Sequence, residues 1–232
     1  MPLAALLGPL ALIVSLSLCA QEPAAPKKKL PLPGEVFSVA EHAAFVISPA
    51  ADSRRTPQPW VWYAPTLPGL PSKAEAWMFE RFLAAGVAVA GVDVGESYGS
   101  PAGVAVYDQL HAALVSERGF APRPVLLARS RGGLMLYAWA IEHPQQVAAI
   151  AGIYPVCDLR SYPGVDRACA AFEMSAEALR DNLDAHNPIT RVHSLAAADV
   201  PIHHIHGDAD RVVPLEANSA ALRRHYEALG GV

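Results

Sequence analysis

Residues 124–136 carry the sequence Pro124-Val125-Leu126-Leu127-Ala128-Arg129-Ser130-Arg131-Gly132-Gly133-Leu134-Met135-Leu136. A short apolar strand runs here into a serine surrounded by small residues and then directly into a helix, which is the pattern of a nucleophile elbow. The strand and the helix pass close together at such a turn, so the flanking residues must be small. Ala128 stands where the motif G-x-S-x-G has its first glycine, and Gly132 supplies the second. The pattern predicts that Ser130 presents its hydroxyl as a nucleophile.

The composition is that of one α/β domain. The chain has 232 residues, 52% of them hydrophobic and 17% charged, which suffices for a large core but leaves no room for a second full domain. Strand-like segments alternate with helical patterns, which predicts a mostly parallel sheet with helices on both faces. The formal net charge of −4 provides no basic field for a polyanion, so we expect no nucleic-acid partner.

The predicted elements follow the chain in alternation. The strand-like segments are 36–47, 60–64, 87–94, 125–128, 147–154 and 202–205, and the helical patterns are 75–85, 104–117, 133–142 and 215–229. The interval 157–200 differs, because it consists of short helical fragments. Insertions longer than about 15 residues in compact domains are usually functional, so we expect a small cap over the active site. A plain surface excursion is the alternative.

The first 20 residues predict an export signal. They contain no Asp, Glu, Lys or Arg, and their apolar run, 10–18, is too short for a membrane span. The segment Leu16-Ser17-Leu18-Cys19 also resembles a lipoprotein box, so anchoring at Cys19 is the second alternative. Residues 21–34, with the run Lys27-Lys28-Lys29, predict a solvated linker before a domain at 35–232. We therefore expect a periplasmic or extracellular protein.

Two further cysteines lie inside the predicted domain. In an exported protein, Cys157 and Cys169 could form a disulfide across a loop. Two free thiols are the other interpretation, because the spacing alone does not bring the Cβ atoms together.

A second motif follows the strand-like segment 202–205. It reads His206-Gly207-Asp208-Ala209-Asp210-Arg211-Val212-Val213-Pro214. A carboxylate on a loop leaving this strand can orient the imidazole that serves an elbow serine. Asp210 is the candidate acid, and Asp208 is expected to cap the turn. The alternative is that both aspartates only build the turn.

These motifs resemble the α/β-hydrolase superfamily. With Ser130 and Asp210, segments 95–101, 129–137 and 152–156 resemble exported serine esterases and prolyl-oligopeptidase-like hydrolases of bacteria. The resemblance covers residues 60–232. It implies the α/β-hydrolase fold and cleavage of an ester through an acyl-enzyme on Ser130, without a cofactor. The implied substrate is a small-molecule or carbohydrate-linked ester, and a peptidase or amidase is the alternative.

The superfamily places its catalytic histidine one strand beyond the acid. Of the nine histidines here only His225 follows Asp210, and its helical context predicts an exposed residue. We therefore expect a hydrolase that is truncated before its histidine loop, last strand and last helix, and that is impaired or catalytically inactive. The strand at 202–205 would then be an exposed sheet edge, available for self-association.

The remaining site candidates surround the serine. The backbone N–H of Arg131 is one predicted oxyanion donor, and Thr66 or Leu67 supplies the other because the prolines beside them have no N–H. Arg129 could meet a substrate carboxylate or pair with a local acid.

Glu96 and Ser97 follow a predicted strand on the side where parallel sheets bind ligands, so they either line the substrate pocket or stabilise a turn. His204 and His206 share one side of their strand, but no third ligand accompanies them. We therefore expect no metal site.

Overall fold

The computed structural model describes residues 27–231. The strands are β1 (Glu35–Val39), β2 (His42–Ile47), β3 (Trp60–Tyr63), β4 (Ala88–Val92), β5 (Val125–Arg129), β6 (Ala149–Ile153) and β7 (Ile202–Ile205). They form one sheet in the order β1-β2-β4-β3-β5-β6-β7. β2 is antiparallel to both of its neighbours, and every other pairing from β4 to β7 is parallel. The predicted mostly parallel sheet is confirmed.

Within residues 27–231, four longer α-helices and five short ones accompany the sheet. They are α1 (Lys73–Ala84), α2 (Pro101–Ala112), α3 (Gly132–Glu142), α4 (Val165–Ala168), α5 (Ala176–Asp181), α6 (Leu183–His186), α7 (Pro188–Arg191), α8 (His193–Ala197) and α9 (Ser219–Ala228). A π-helical turn, Ala113–Glu117, continues α2. Among residues 27–231, none of these helices has the length and hydropathy of a membrane span.

The observed elements differ most from the sequence prediction in three places. The segment 36–47 is a tight hairpin, because Ala40 and Glu41 both adopt positive φ between β1 and β2. α2 begins at Pro101, whose fixed φ suits the first position of a helix. α9 begins only at Ser219, after a turn that the helical pattern from 215 did not reveal.

Helices cover both faces of the sheet, and each face has its own apolar core. On one face, the stacked rings of Trp60 and Trp62 pack against aromatic residues of α2 and α3, including Tyr107 and Trp139. On the other face, Phe79 of α1 packs edge-on against a strand tyrosine. The central strands are therefore apolar on both sides, as a parallel sheet between two helix layers requires.

The insertion at 157–200 carries the five short helices and packs beside α3. Its apolar residues form a cluster with Leu134 of α3 and Val213 of the loop after β7. Cys157 and Cys169 of this region are both free thiols. Burial raises the pKa of the Cys157 thiol, so that side chain is an inert part of the core. Of the two interpretations of these cysteines, the structure therefore supports two free thiols and not a disulfide.

The predicted export signal and Cys19 lie outside the described residues. Residues 27–34 of the predicted linker are described, and Lys27 and Lys29 are exposed there. Lys28 departs from the expected solvated tether, since its side chain is only 1% exposed and pairs with Asp93.

Candidate active site

Ser130 occupies the turn between β5 and α3 with a φ of 49°. Its N–H donates to the Ile153 carbonyl at 3.1 Å. Its carbonyl accepts from the N–H groups of Val156 and Gly133, at 2.8 and 2.9 Å. A serine in this left-handed region is strained by roughly 1–3 kcal/mol, so neighbouring hydrogen bonds must hold it there. The turn has the geometry of the predicted elbow.

Small residues allow the helix to approach the strands at this turn. A Cβ on Gly132 would lie 3.2 Å from the Ala64 carbonyl oxygen, which is tight. A Cβ on Gly133 would lie 2.4 Å from the Val156 oxygen, which no side chain can occupy without a backbone shift. Ala128 is fully buried opposite Gly152 of β6. The stricter requirement is therefore at Gly133, one position beyond the motif glycine.

Ser130 opens into a pocket of about 300 Å³. The lining residues are Tyr63, Ala64, Thr66, Leu67, Leu70, Ser72, Ala74, Glu75, Arg129, Ser130, Arg131 and Tyr154. The structure thus brings the predicted nucleophile together with all three residues predicted to donate backbone N–H groups. In the hydrogen bonds of the described chain, the N–H groups of Arg131, Thr66 and Leu67 have no acceptor. Their role as donors to an oxyanion stays a prediction.

The two arginines beside the serine are paired with carboxylates. Arg129 donates from Nε to the Tyr154 hydroxyl at 2.8 Å and forms an ion pair with Glu75, which is only 2% exposed. Glu75 also accepts from the N–H and hydroxyl of Ser72, closing the capping box of α1. The N–O distance of the Arg131 to Glu96 ion pair is 2.5 Å. Both guanidinium charges are therefore balanced locally.

Glu96 and Ser97 line a second cavity, not the Ser130 pocket. This cavity has a volume of about 280 Å³, lies at the start of α2, and includes Ala171 from the insertion. The Ser97 hydroxyl is buried without a hydrogen-bond partner among the described residues. The Ser130 pocket has no lining residue from 157–200, so the insertion borders the neighbouring cavity instead.

Asp210 lies in the loop after β7. Its Oδ1 accepts the N–H groups of Val213 and Val212, each at 2.9 Å. These hydrogen bonds lower the pKa of Asp210, so the carboxylate is ionised at neutral pH. Asp210, and not Asp208 as the sequence predicted, accepts the backbone hydrogen bonds that cap this turn. Asp210 is not among the residues that line the Ser130 pocket.

A directed chain of hydrogen bonds joins this loop to α9 and α3. The Val213 carbonyl can only accept, so His206 Nε2, 2.7 Å away, carries a hydrogen. With a neutral imidazole, His206 Nδ1 accepts from the Ser219 hydroxyl at 2.7 Å. Ser219 has one hydrogen, so its oxygen accepts from His204 Nδ1 at 2.8 Å. His204 Nε2 in turn accepts from the Tyr137 hydroxyl at 2.7 Å. The two histidines therefore hold opposite tautomers.

No histidine lines the Ser130 pocket, although all nine lie within residues 27–231. Desolvation by burial, followed by the neighbouring His206 and His203, lowers the pKa of His204 to about 4. His225 is exposed on α9, as predicted. Nor does the described part of the chain contain three or more His, Cys, Asp or Glu side chains grouped as metal ligands.

Comparisons by sequence find no match, since no family model and no curated protein matches the chain. Solved structures match its fold. Dipeptidyl peptidase 4 of Porphyromonas gingivalis superposes with a TM-score of 0.66 at 17% identity, over 86% of this chain and 31% of that one. MPT51 (FbpC1) of Mycobacterium tuberculosis gives 0.65 at 15% identity, over 87% of both chains. A lipase/esterase from Lactobacillus plantarum gives 0.61 at 18% identity, over 86% of both.

These similarities, with the observed strand order, show that the chain has the α/β-hydrolase fold. The prediction of this fold is confirmed. The chain spans about a third of the peptidase and most of the length of the other two proteins.

Proposed function

We propose that this protein is a serine hydrolase that cleaves an ester through an acyl-enzyme on Ser130. The observation that carries the proposal is the strained serine turn beside backbone N–H groups without acceptors. A strained residue held by its surroundings is a frequent feature of functional sites. The fold similarity to a lipase/esterase and to a peptidase agrees with hydrolysis.

The proposed chemistry has two steps. The Ser130 oxygen attacks the ester carbonyl carbon, and its proton passes to a general base, an imidazole oriented by Asp210, which returns it to the departing alcohol. This chemistry requires an imidazole to reach Ser130, since no histidine among residues 27–231 lines the pocket. The N–H of Arg131, together with that of Thr66 or Leu67, stabilises the oxyanion until the alcohol leaves. Water then hydrolyses the acyl-enzyme by the same route. In this assignment Asp210 is the acid and Ser130 the nucleophile.

The Ser130 pocket favours a short, uncharged acyl group. Its volume is at the lower end of the range for ligand pockets, and Leu67 and Leu70 contribute apolar wall. Because Glu75 balances the charge of Arg129 and Glu96 that of Arg131, the described residues that line the pocket present no free cation to a substrate carboxylate. The neighbouring cavity with Glu96 and Ser97 suits the hydroxyl groups of an alcohol or carbohydrate leaving group.

A catalytically inactive binding protein is the second candidate. The specific observation in its favour is that no histidine lines the Ser130 pocket. Without a base, a serine hydroxyl is a weak nucleophile.

Export remains a further proposal, which rests on the sequence of residues 1–20. Lipid attachment at Cys19 is its variant.

Turnover of short p-nitrophenyl esters tests the proposed function. We expect acetate and butyrate esters to be hydrolysed, the anionic hemisuccinate ester to be a poorer substrate, and Ser130→Ala to remove the activity. Ser116→Ala, at an exposed serine in the π-helical turn after α2, is the matched control and should retain it. No turnover in the unaltered protein would favour the binding protein, and turnover that survives in Ser130→Ala would contradict Ser130 as the nucleophile.

A further inference from the structure

Lys28 is the one buried side chain in the run of three lysines, Lys27, Lys28 and Lys29. Its ammonium donates to both carboxylate oxygens of Asp93, at 2.7 and 2.8 Å. It also donates to the Leu70 carbonyl at 2.5 Å. An ammonium group has three hydrogens and no acceptor, so these contacts use its whole donor capacity.

Asp93 is fixed to the sheet. It directly follows β4, its N–H donates to the Ala43 carbonyl at 2.9 Å, and its carbonyl accepts from His42 Nδ1 at 2.8 Å. Burial raises the pKa of its carboxyl group, while the hydrogen bond and charge of Lys28 act in the opposite direction. Lys28 is therefore anchored at a rigid point of the fold.

Leu70, the other partner, belongs to the loop that lines the Ser130 pocket. Its N–H donates to the Leu67 carbonyl at 3.0 Å, which closes a turn. Three prolines in this loop, Pro65, Pro68 and Pro71, lack N–H groups, so the loop has few hydrogen bonds of its own. Lys28 is a donor from outside the loop that holds one of its carbonyl groups, that of Leu70.

The contacts run continuously from the sheet to the pocket: Asp93 holds Lys28, Lys28 holds Leu70, and Leu70 holds Leu67. The chain segment that carries Lys28 is held against the domain by Leu30 and Leu32, which pack against the apolar cluster between the sheet and α1. We propose that Lys28, although it lies outside the sheet and helices, is a positioning residue that fixes the loop carrying the oxyanion donors. The inference rests on the proposed function of Ser130.

The first test compares the three lysines. Small displacements of catalytic groups reduce rates by up to about 100-fold, so we expect Lys28→Met to slow labelling of Ser130 by a fluorophosphonate about 10- to 100-fold. Lys27→Met and Lys29→Met remove the same charge from exposed positions and should label within about twofold of the unaltered protein. Equal effects at all three positions would overturn the proposal.

A double variant separates positioning from stability. Lys28→Met leaves the Asp93 carboxylate without its partner, which destabilises the fold. Lys28→Met/Asp93→Asn removes both charges and should recover the free energy of unfolding, yet still label slowly because Leu70 has lost its donor. Recovery of the full labelling rate in the double variant would show that the pair is only structural.

Hydrogen exchange provides a measurement that does not depend on catalysis. In the double variant we expect the Leu70 amide to exchange at least about 10-fold faster than in the unaltered protein, while amides of β4 keep their protection. If the unaltered protein does not label but this exchange increases, the proposed function fails and the tie between Lys28 and the loop stands. Unchanged exchange at Leu70 overturns the tie itself.

Discussion

Gly133 and Ser130 show how the turn combines strain with close packing. Ser130 keeps a φ of 49° because three backbone hydrogen bonds fix the two peptide groups on either side of its Cα: one made by its N–H and two by its carbonyl oxygen. Gly133 brings α3 against Val156, whose N–H makes one of those bonds. A side chain at Gly133 would therefore disturb the same contact that holds the serine.

This packing predicts that Gly133→Ala destabilises the protein by about 1–3 kcal/mol, because the added methyl group overpacks the backbone. Gly207→Ala is the matched control, since a Cβ there would meet no atom within 4 Å. Urea denaturation measures both free energies of unfolding. Equal stability of the two variants would contradict the close approach of α3 to Val156.

His204 predicts a pH dependence of stability. Its pKa in the folded protein is about 4 instead of 6.5, so the unfolded chain binds the additional proton more tightly. The contribution of His204 to the free energy of unfolding is therefore complete above pH 6.5. As the pH falls from 6.5 to 4, the free energy of unfolding decreases by about 3 kcal/mol.

Denaturation at a series of pH values measures this slope. His204→Gln should flatten it, whereas His225→Gln, at an exposed position on α9, should leave it in place. A slope that persists unchanged in His204→Gln would assign the effect to other groups.

β7 and α9 are joined by polar contacts as well as by apolar packing. Ser219, the first residue of α9, lies between His204 and His206, and Tyr137 of α3 completes the chain. The Val213 carbonyl at its other end fixes the loop that carries Asp210. The chain thus couples the candidate acid to two helices.

Nitrogen NMR of the histidine rings tests this direction of donation. At neutral pH we expect His206 to carry its hydrogen on Nε2 and His204 on Nδ1. In Ser219→Ala the two rings lose their shared partner, so these tautomers should no longer be fixed. A hydrogen on Nδ1 of His206 in the unaltered protein would reverse the assigned chain.

The elements that the sequence predicted well are those with local signals. The elbow at Ser130 and the alternating strands follow from small residues and apolar runs within a few positions. The start of α9 was missed because it depends on Asn218, whose Oδ1 accepts the N–H groups of Cys157 and Asp158 some sixty positions away. A helical pattern contains no sign of such a distant partner.

In the candidate site, too, local sequence signals predicted some residues, whereas contacts between distant residues could not be predicted. The sequence predicted Ser130, Thr66 and Leu67 from a turn motif and from prolines, and the structure brings them into one pocket. The sequence left open whether Arg129 meets a substrate or a local acid. Its partner Glu75 lies 54 positions away, so only the folded chain could decide.

The sheet of the described chain ends in an open edge at β7. Within residues 27–231, β7 pairs with β6 alone, and Ile205 of β7 is 77% exposed. Unpaired, apolar edge strands are templates for association with another chain. Self-association through this edge stays a prediction.

Ile205→Lys should therefore reduce self-association of this chain at micromolar concentration, as measured by analytical ultracentrifugation. Val212→Lys adds the same charge at an exposed apolar residue outside the strand and serves as the control. A monomeric unaltered protein, or equal effects of both variants, would remove β7 as the contact surface.

We propose that Ser130 is an activated nucleophile on an α/β-hydrolase fold. Fluorophosphonate labelling followed by peptide mapping identifies such a serine, because the probe modifies a serine only where the site supports attack. We expect one adduct, on Ser130, that disappears in Ser130→Ala. An unlabelled protein, or an adduct on another serine, would rule out this role for Ser130.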